Sequence, residues 1–161
     1  MLTGTDLIKA YERNFLIIKN QTADMSHAES LIQLPFRANC LNWTLGHMCV
    51  SRVNLLATLG AEPPFAPELL ARYERESEPI TADSDGVVPL EQLLELLEQT
   101  QSAIKATFSA KSDDDWAGDV IFANRPTQAA KYAFFMYFHD SYHTGQTEIL
   151  RQASGKNDKI I

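Results

Sequence analysis

The sequence predicts an all-α fold, a four-helix bundle forming one domain over residues 1–161. Three observations predict it. Four segments of about twenty residues carry apolar side chains at alternating steps of three and four, the period of a single helix face. Gly60, Pro89, Pro126 and Gly155 fall where those segments start and stop, as helix-terminating and helix-opening residues should. No strand-rich region, internal repeat or low-complexity tract interrupts the pattern.

The first helix is expected over 5–25, where Ile8, Tyr11, Phe15, Ile18, Thr22 and Met25 make the stripe. The second spans 42–59. Asn42 suits its N-cap, because a short polar side chain can accept an orphan backbone N–H, and Gly60 suits the left-handed position just past its end. Leu41, Leu45, Met48, Leu55, Leu56 and Leu59 form the main core face, with His47 on the edge beside Trp43 and Val50. The 60–88 stretch holds four of the seven prolines and reads as a long connection with one short helix at 68–75. Connections of this length in a compact domain are usually functional or mobile, and this one is expected to shape a pocket mouth. The third helix starts at Pro89 and runs to about 109, with Leu90, Leu93, Leu94, Leu97, Ile104 and Phe108 inward. An acidic connection, Ser112 to Trp116, and one short extended piece, Val120-Ile121-Phe122, precede the fourth helix at 127–153. Four such helices pack as an antiparallel bundle, and the long 60–88 connection lets the second and third run parallel if it crosses the bundle's length.

Composition narrows the function. A hydrophobic content of 45% with 22% charged residues suits a globular domain. The net charge of −7 and scattered Lys and Arg argue against a nucleic-acid partner. The apolar runs are too short and too punctuated to span a bilayer, and the N-terminus lacks the pattern of a signal peptide. Cys40 and Cys49 make neither a disulfide framework nor a zinc pattern, so a reducing, cytoplasmic setting is expected. Cys49 reads as a small buried hydrophobe, and Trp43 and Trp116 as packing residues.

The informative feature is His139 and His143, four residues apart on one helix face with Tyr132, Phe135, Met136, Gln146 and Leu150. Two inward imidazoles need partners, because each unpaired buried polar group costs about 1–3 kcal/mol. A divalent metal satisfies both rings; so do carbonyls, hydroxyls or water. A catalytic metal site needs a third ligand, and His47 reaches the same level if its helix runs antiparallel to the last. His27, among Asp24, Ser26 and Glu29, reads as a surface residue. His139-Asp140-x-x-His143 imitates a zinc-protease motif, but Asp is one methylene short and no downstream ligand follows. A di-iron site would need buried glutamates that the pattern lacks.

Asn42-Trp43-Thr44-Leu45-Gly46-His47, taken with His139-Asp140-Ser141-Tyr142-His143-Thr144-Gly145-Gln146, resembles the DinB/YfiT-like metal-dependent four-helix bundles. The order of elements is similar along essentially the whole chain. The resemblance implies a divalent metal, nickel or zinc with iron or manganese as further candidates, held by His47, His139 and His143. It also implies a homodimer and, in some relatives, S-transfer from a low-molecular-weight thiol to a small-molecule electrophile. The expected function is therefore a metal-dependent transferase or hydrolase. Asp140 and Gln146 are the candidates to act in catalysis by orienting the ligands or touching the substrate. The rival expectation is a non-catalytic, metal-holding or stress-associated binding bundle.

Overall fold

A computed structural model describes residues 4–158, so both ends of the expected 1–161 domain lie outside the described residues. The elements are α1 (Gly4–Thr22), α2 (His27–Ser30), α3 (Leu41–Thr58), a 3₁₀ segment (Pro67–Tyr73), α4 (Leu90–Ala110), α5 (Asp113–Ala117), β1 (Asp119–Phe122), β2 (Arg125–Gln128) and α6 (Ala129–Ala153). The protein is mainly helical. Among the described residues no helix is long and apolar enough to cross a membrane.

The four long helices enclose the core, each packing on two others: α1 on α4 and α6, α3 on α4 and α6. Side-chain pairs give their directions. His47 meets His143, Arg52 meets Asp140 and Tyr132 meets Thr58, so α3 and α6 run antiparallel. Asn14 meets Asp140 and Arg151 meets Gln21, so α1 and α6 run parallel. Cys49 reaches Leu93 and Arg52 reaches Leu97, so α3 and α4 also run parallel, as the long connection allows. Leu45, Met48, Leu56, Leu93, Leu97 and Ile104 are completely enclosed. Cys49 is fully buried, and burial pushes its thiol up to about 12.

One buried ion pair ties all four helices. Arg52 of α3 is 1% exposed and Asp140 of α6 is 3% exposed. Arg52 donates from Nε to Asp140 Oδ1 at 2.7 Å and from Nη2 to Oδ2 at 3.1 Å. Its Nη1 reaches the Leu97 carbonyl and Gln101 Oε1 of α4 at 3.5 and 3.4 Å. Asn14 of α1 donates to Asp140 Oδ2 at 2.9 Å.

Several boundaries differ from expectation for identifiable reasons. Cys40, not Asn42, is the N-cap of α3; Asn42 lies inside the helix, completely buried. Its amide donates to the Val88 carbonyl at 2.9 Å and its Oδ1 accepts from Tyr73 Oη at 2.9 Å. Gly60 does take the left-handed position, φ 82°, where its N–H and that of Ala61 reach the Ala57 and Leu56 carbonyls, the paired closure expected after a helix. The short helix in the connection is a 3₁₀ segment at Pro67–Tyr73. Pro89 is the N-cap of α4 rather than its first helical residue.

The acidic connection folds as α5 because Ser112 and Asp115 form a reciprocal capping box. The last helix starts at Ala129, not Thr127, because Arg125–Gln128 pairs antiparallel with Asp119–Phe122. The turn between them places Ala123 and Asn124 at φ 49° and 61°, a two-residue hairpin turn usually marked by Asn-Gly. Ala-Asn gave no such signal.

Gly46 explains how the connection lies so close to α3. A Cβ there would sit 2.1 Å from Tyr73 Cδ1. Overpacking of this kind costs about 1–3 kcal/mol. Gly46→Ala is therefore expected to lower the thermal midpoint by several degrees. Melting followed by circular dichroism checks this, and an unchanged midpoint would contradict the packing described.

Candidate metal centre

His47 lies two turns into α3, and its position is set by the connection packed over it. The His47 Nδ1 is 2.9 Å from the Tyr73 carbonyl. A carbonyl only accepts, so Nδ1 carries the proton and Nε2 keeps its lone pair. Tyr73 is itself fixed: its Oη donates to Asn42 and accepts the Val88 N–H at 2.7 Å. Trp43, one turn earlier, stacks on the His47 ring at 4.6 Å with planes 13° apart. Its indole N–H donates to Ser77 Oγ at 3.0 Å.

His139 and His143 come from α6. The His143 Nδ1 donates to Gln146 Oε1 at 2.7 Å, which again leaves the Nε2 lone pair to accept a hydrogen bond or bind a metal. The His139 and His143 Nε2 atoms are 3.2 Å apart. His47 closes the triangle: its ring centroid is 5.3 Å from that of His139 and 5.2 Å from that of His143. One nitrogen from each of the three rings lies within 4.8 Å of the others. The structure thus brings together the three histidines singled out in the sequence, and among the described residues no fourth His, Cys, Asp or Glu joins them.

This donor set fits a divalent metal. Nitrogens bound to one zinc at about 2.0–2.1 Å can be at most about 4.2 Å apart, so the 3.2 Å pair needs no movement. A tetrahedral ion sets its nitrogens about 3.4 Å apart, so the widest pair, within 4.8 Å, would close by at most about 1.4 Å, a swing of the side chains. The His139 Nδ1 is buried and has no partner among the described residues. Two imidazole Nε2 atoms in contact, with one Nδ1 unpaired, leave at least one polar atom unsatisfied in any tautomer; a shared cation relieves the contact.

Electrostatics favour the neutral, ligating form. Burial pushes all three imidazoles below their ordinary value, and His143 down to about 4. For His143 the Gln146 contact opposes the shift, and the neighbouring His139 and His47 reinforce it. For His47 the Tyr73 carbonyl opposes it.

The other sequence candidates divide. Gln146 sits on His143 as described. Asp140 does not face the histidines with a free carboxylate: both its oxygens are committed to Arg52 and Asn14 in the core. From there it acts on His139 and His143 only through its charge, which opposes the lowering of their pKa. His27 is not a plain surface residue. It is half-buried, and its Nδ1 accepts the Leu90 N–H at 3.2 Å, capping the start of α4. Phe135, expected on the inward stripe, is 48% exposed.

A cavity of about 410 Å³ opens beside His143 and Gln146, walled by Phe36, Trp43, Tyr142 and Ile149. Its rim comes from residues 34–39, before α3, and not from the 60–88 connection, which contributes nothing to the lining. That connection acts on the other side of His47, through Tyr73. Sequence reasoning missed Tyr73 and Arg37. Tyr73 carried no motif, and the segment holding Arg37 showed no periodicity.

No protein-family model matches the chain, and no curated protein matches it. A crystal structure described as the conserved protein of locus from Enterococcus faecalis is similar in fold. It superposes with a TM-score of 0.74 over 96% of this chain and 98% of that one, at 16% identity.

The pH behaviour of His143 in metal-free protein follows from its surroundings. The ring should remain the neutral Nδ1–H tautomer through pH 6 and take its proton only near 4. The unfolded chain takes that proton first, at about 6.5. The contribution of His143 to stability is therefore fully present above 6.5 and declines as pH falls towards 4. Nitrogen-15 NMR of the imidazoles reads this directly, and titration of His143 near its ordinary value would refute it.

Proposed function

We propose that the chain is a metal-dependent enzyme with a four-helix bundle of the DinB/YfiT-like kind, its divalent ion held by His47, His139 and His143. The observation that carries this reading is the convergence of three neutral imidazoles, two of which spend Nδ1 on protein acceptors and keep the Nε2 lone pair to bind a metal. The likeness in fold supports the bundle, and the motifs quoted above support the family.

An enzyme is favoured over a structural metal site by openness. Structural zinc sites are closed by four protein ligands, whereas catalytic ones keep a position for water or substrate. Here three ligands converge with no fourth among the described residues, and one of them, His143, lines a cavity. A divalent ion in this site supplies Lewis-acid stabilisation and lowers the pKa of a coordinated thiol or water. The protein's part is to hold the rings. The Tyr73 carbonyl orients His47, Gln146 orients His143, and Trp43 shields one face of His47 from solvent. The reaction class is transfer of a low-molecular-weight thiol to a small-molecule electrophile. The sulfur forms the new S–C bond and the leaving group departs as the thiol proton is released. Hydrolysis by water at the same position is the sibling reaction.

Untagged protein should take up about one nickel or zinc ion per chain, and His47→Ala, His139→Ala and His143→Ala should each lose it while keeping helical circular dichroism. Thiol consumption in the presence of 1-chloro-2,4-dinitrobenzene or another electrophile from a panel should fall at least about 100-fold in His143→Ala, the upper end of what disturbing even the supporting residues of a metal site costs. Elemental analysis and thiol titration make the check. Wild-type protein that retains no stoichiometric metal would end the reading.

The same proposal includes a homodimer. Phe134, Phe135 and Phe138 of α6 are 52%, 48% and 64% exposed, a cluster of large apolar side chains that calls for a partner surface. A two-fold pair is the commonest way to cover such a patch. Sedimentation should give twice the 18.1 kDa chain mass, and Phe138→Glu should give the monomer. A wild-type monomer at micromolar concentration would count against this assembly without touching the metal site.

A further inference from the structure

The cavity beside the histidines has a chemical character that the three ligands do not explain. Its walls are apolar and largely aromatic, and Phe36, Tyr142 and Ile149 are 63%, 58% and 54% exposed. Arg37 is the one charged residue in its lining. No Asp, Glu or Lys shares the lining, in a chain with 21 acidic residues against 14 basic. Arg37, exposed at the rim, has neither an ion-pair nor a hydrogen-bond partner among the described residues, whereas the buried Arg52 and Arg151 are held in ion pairs. Asn39 stands on the same rim with a neutral amide. A larger groove between α1 and α4 makes the contrast. It is lined by Lys19, Glu91, Glu95 and Glu98, so it presents mixed and mostly acidic charge and none of the three histidines.

An uncompensated guanidinium beside a mainly apolar wall suits an anionic head on an apolar body. Arginine binds carboxylates through two parallel N–H···O bonds. Aromatic and aliphatic walls accept a flat or aliphatic body, and the 410 Å³ volume falls within the range of small-molecule sites, about 300–1,000 Å³. We propose that this cavity takes a small organic carboxylate, its carboxylate on Arg37 at the rim, its apolar body against Trp43 and Tyr142, and its opposite end at His143. The proposal names the substrate class for the function inferred above. It rests on that reading only for which end of the molecule reacts.

The test is isothermal titration calorimetry on the full chain with two probes of the same shape, 4-phenylbutyrate and its neutral amide, 4-phenylbutyramide. Each is titrated into metal-loaded and metal-free protein. The carboxylate should bind at least tenfold more tightly than the amide. Arg37→Gln should bring the two within twofold of one another, and Arg37→Lys should retain part of the preference, because it keeps the charge and loses the fork. Metal content should be the same in all three proteins. Equal binding of the two probes by wild type, or no binding of either at millimolar concentration, overturns the proposal. So does a preference that survives Arg37→Gln and disappears on metal removal, since the carboxylate would then be on the metal. A protein that takes up no metal but shows the Arg37-dependent preference sustains this proposal and sinks the metal reading, so the two fail separately.

Discussion

The Arg52–Asp140 pair is the constraint on which the rest of the helix packing depends. Both groups are almost completely enclosed, so each must be satisfied where it stands. Asp140 spends its oxygens on Arg52 and Asn14, and Arg52 spends its remaining N–H groups on α4. Such a pair contributes modest net stability compared with a well-packed apolar replacement. Removing one partner is different, because it strands a charge in the core at a cost of about 3–5 kcal/mol. Sliding α6 by a turn against α3 would strand both. The pair thereby sets the register of α6, and His139 and His143 flank Asp140 in sequence. The level at which the two imidazoles meet His47 follows from an ion pair whose hydrogen bonds go to neither of them.

The second support comes from the opposite side. The connection after α3 returns across that helix, and Gly46 lets Tyr73 lie against its backbone. Tyr73, Asn42 and Val88 then form a closed set of hydrogen bonds. One consequence is a main-chain carbonyl delivered to the Nδ1 of His47. The side chain and the carbonyl of the same tyrosine thus do separate things: one fastens the connection, the other fixes a tautomer. His143 obtains the equivalent fixation locally, from Gln146 three residues along its own helix. The two orienting contacts differ in origin, one tertiary and one built into a helical turn, yet both leave the lone pair on Nε2.

These supports also explain why the centre is polar on one side and apolar on the other. Trp43 stacks on His47 and also walls the cavity. Tyr142 packs edge-on against His143 and walls it too. The histidines lie against a buried network of polar groups, and His143 borders the recess. Burial keeps the rings neutral, and the recess gives access to His143.

Much of this was legible in the sequence, and the division is instructive. The four long helices were, because a 3.6-residue apolar period is a local property that any one segment displays alone. The His139–His143 pair was, because four residues make one helical turn whatever surrounds it. Gly60 was, because the conformation it adopts is its own. Other roles were not. Asn42 looks like a cap and is a buried cross-brace; Asp140 looks like a residue that orients ligands or touches substrate, and its carboxylate is bonded to Arg52 and Asn14 in the core. Thr127 looks like a helix start and belongs to a strand. In each case the side chain's chemistry was evident, but its partner lies elsewhere in the chain, at Val88, at Arg52 or across the hairpin at Val120. Tyr73 and Arg37 carry no pattern at all. Periodicity and capping depend on near neighbours along the chain, and so the sequence alone determined the helices and the histidine pair. Which polar group meets which depends on distances in space, and only the tertiary structure could bring His47 to that pair and bond Asp140 to Arg52 and Asn14.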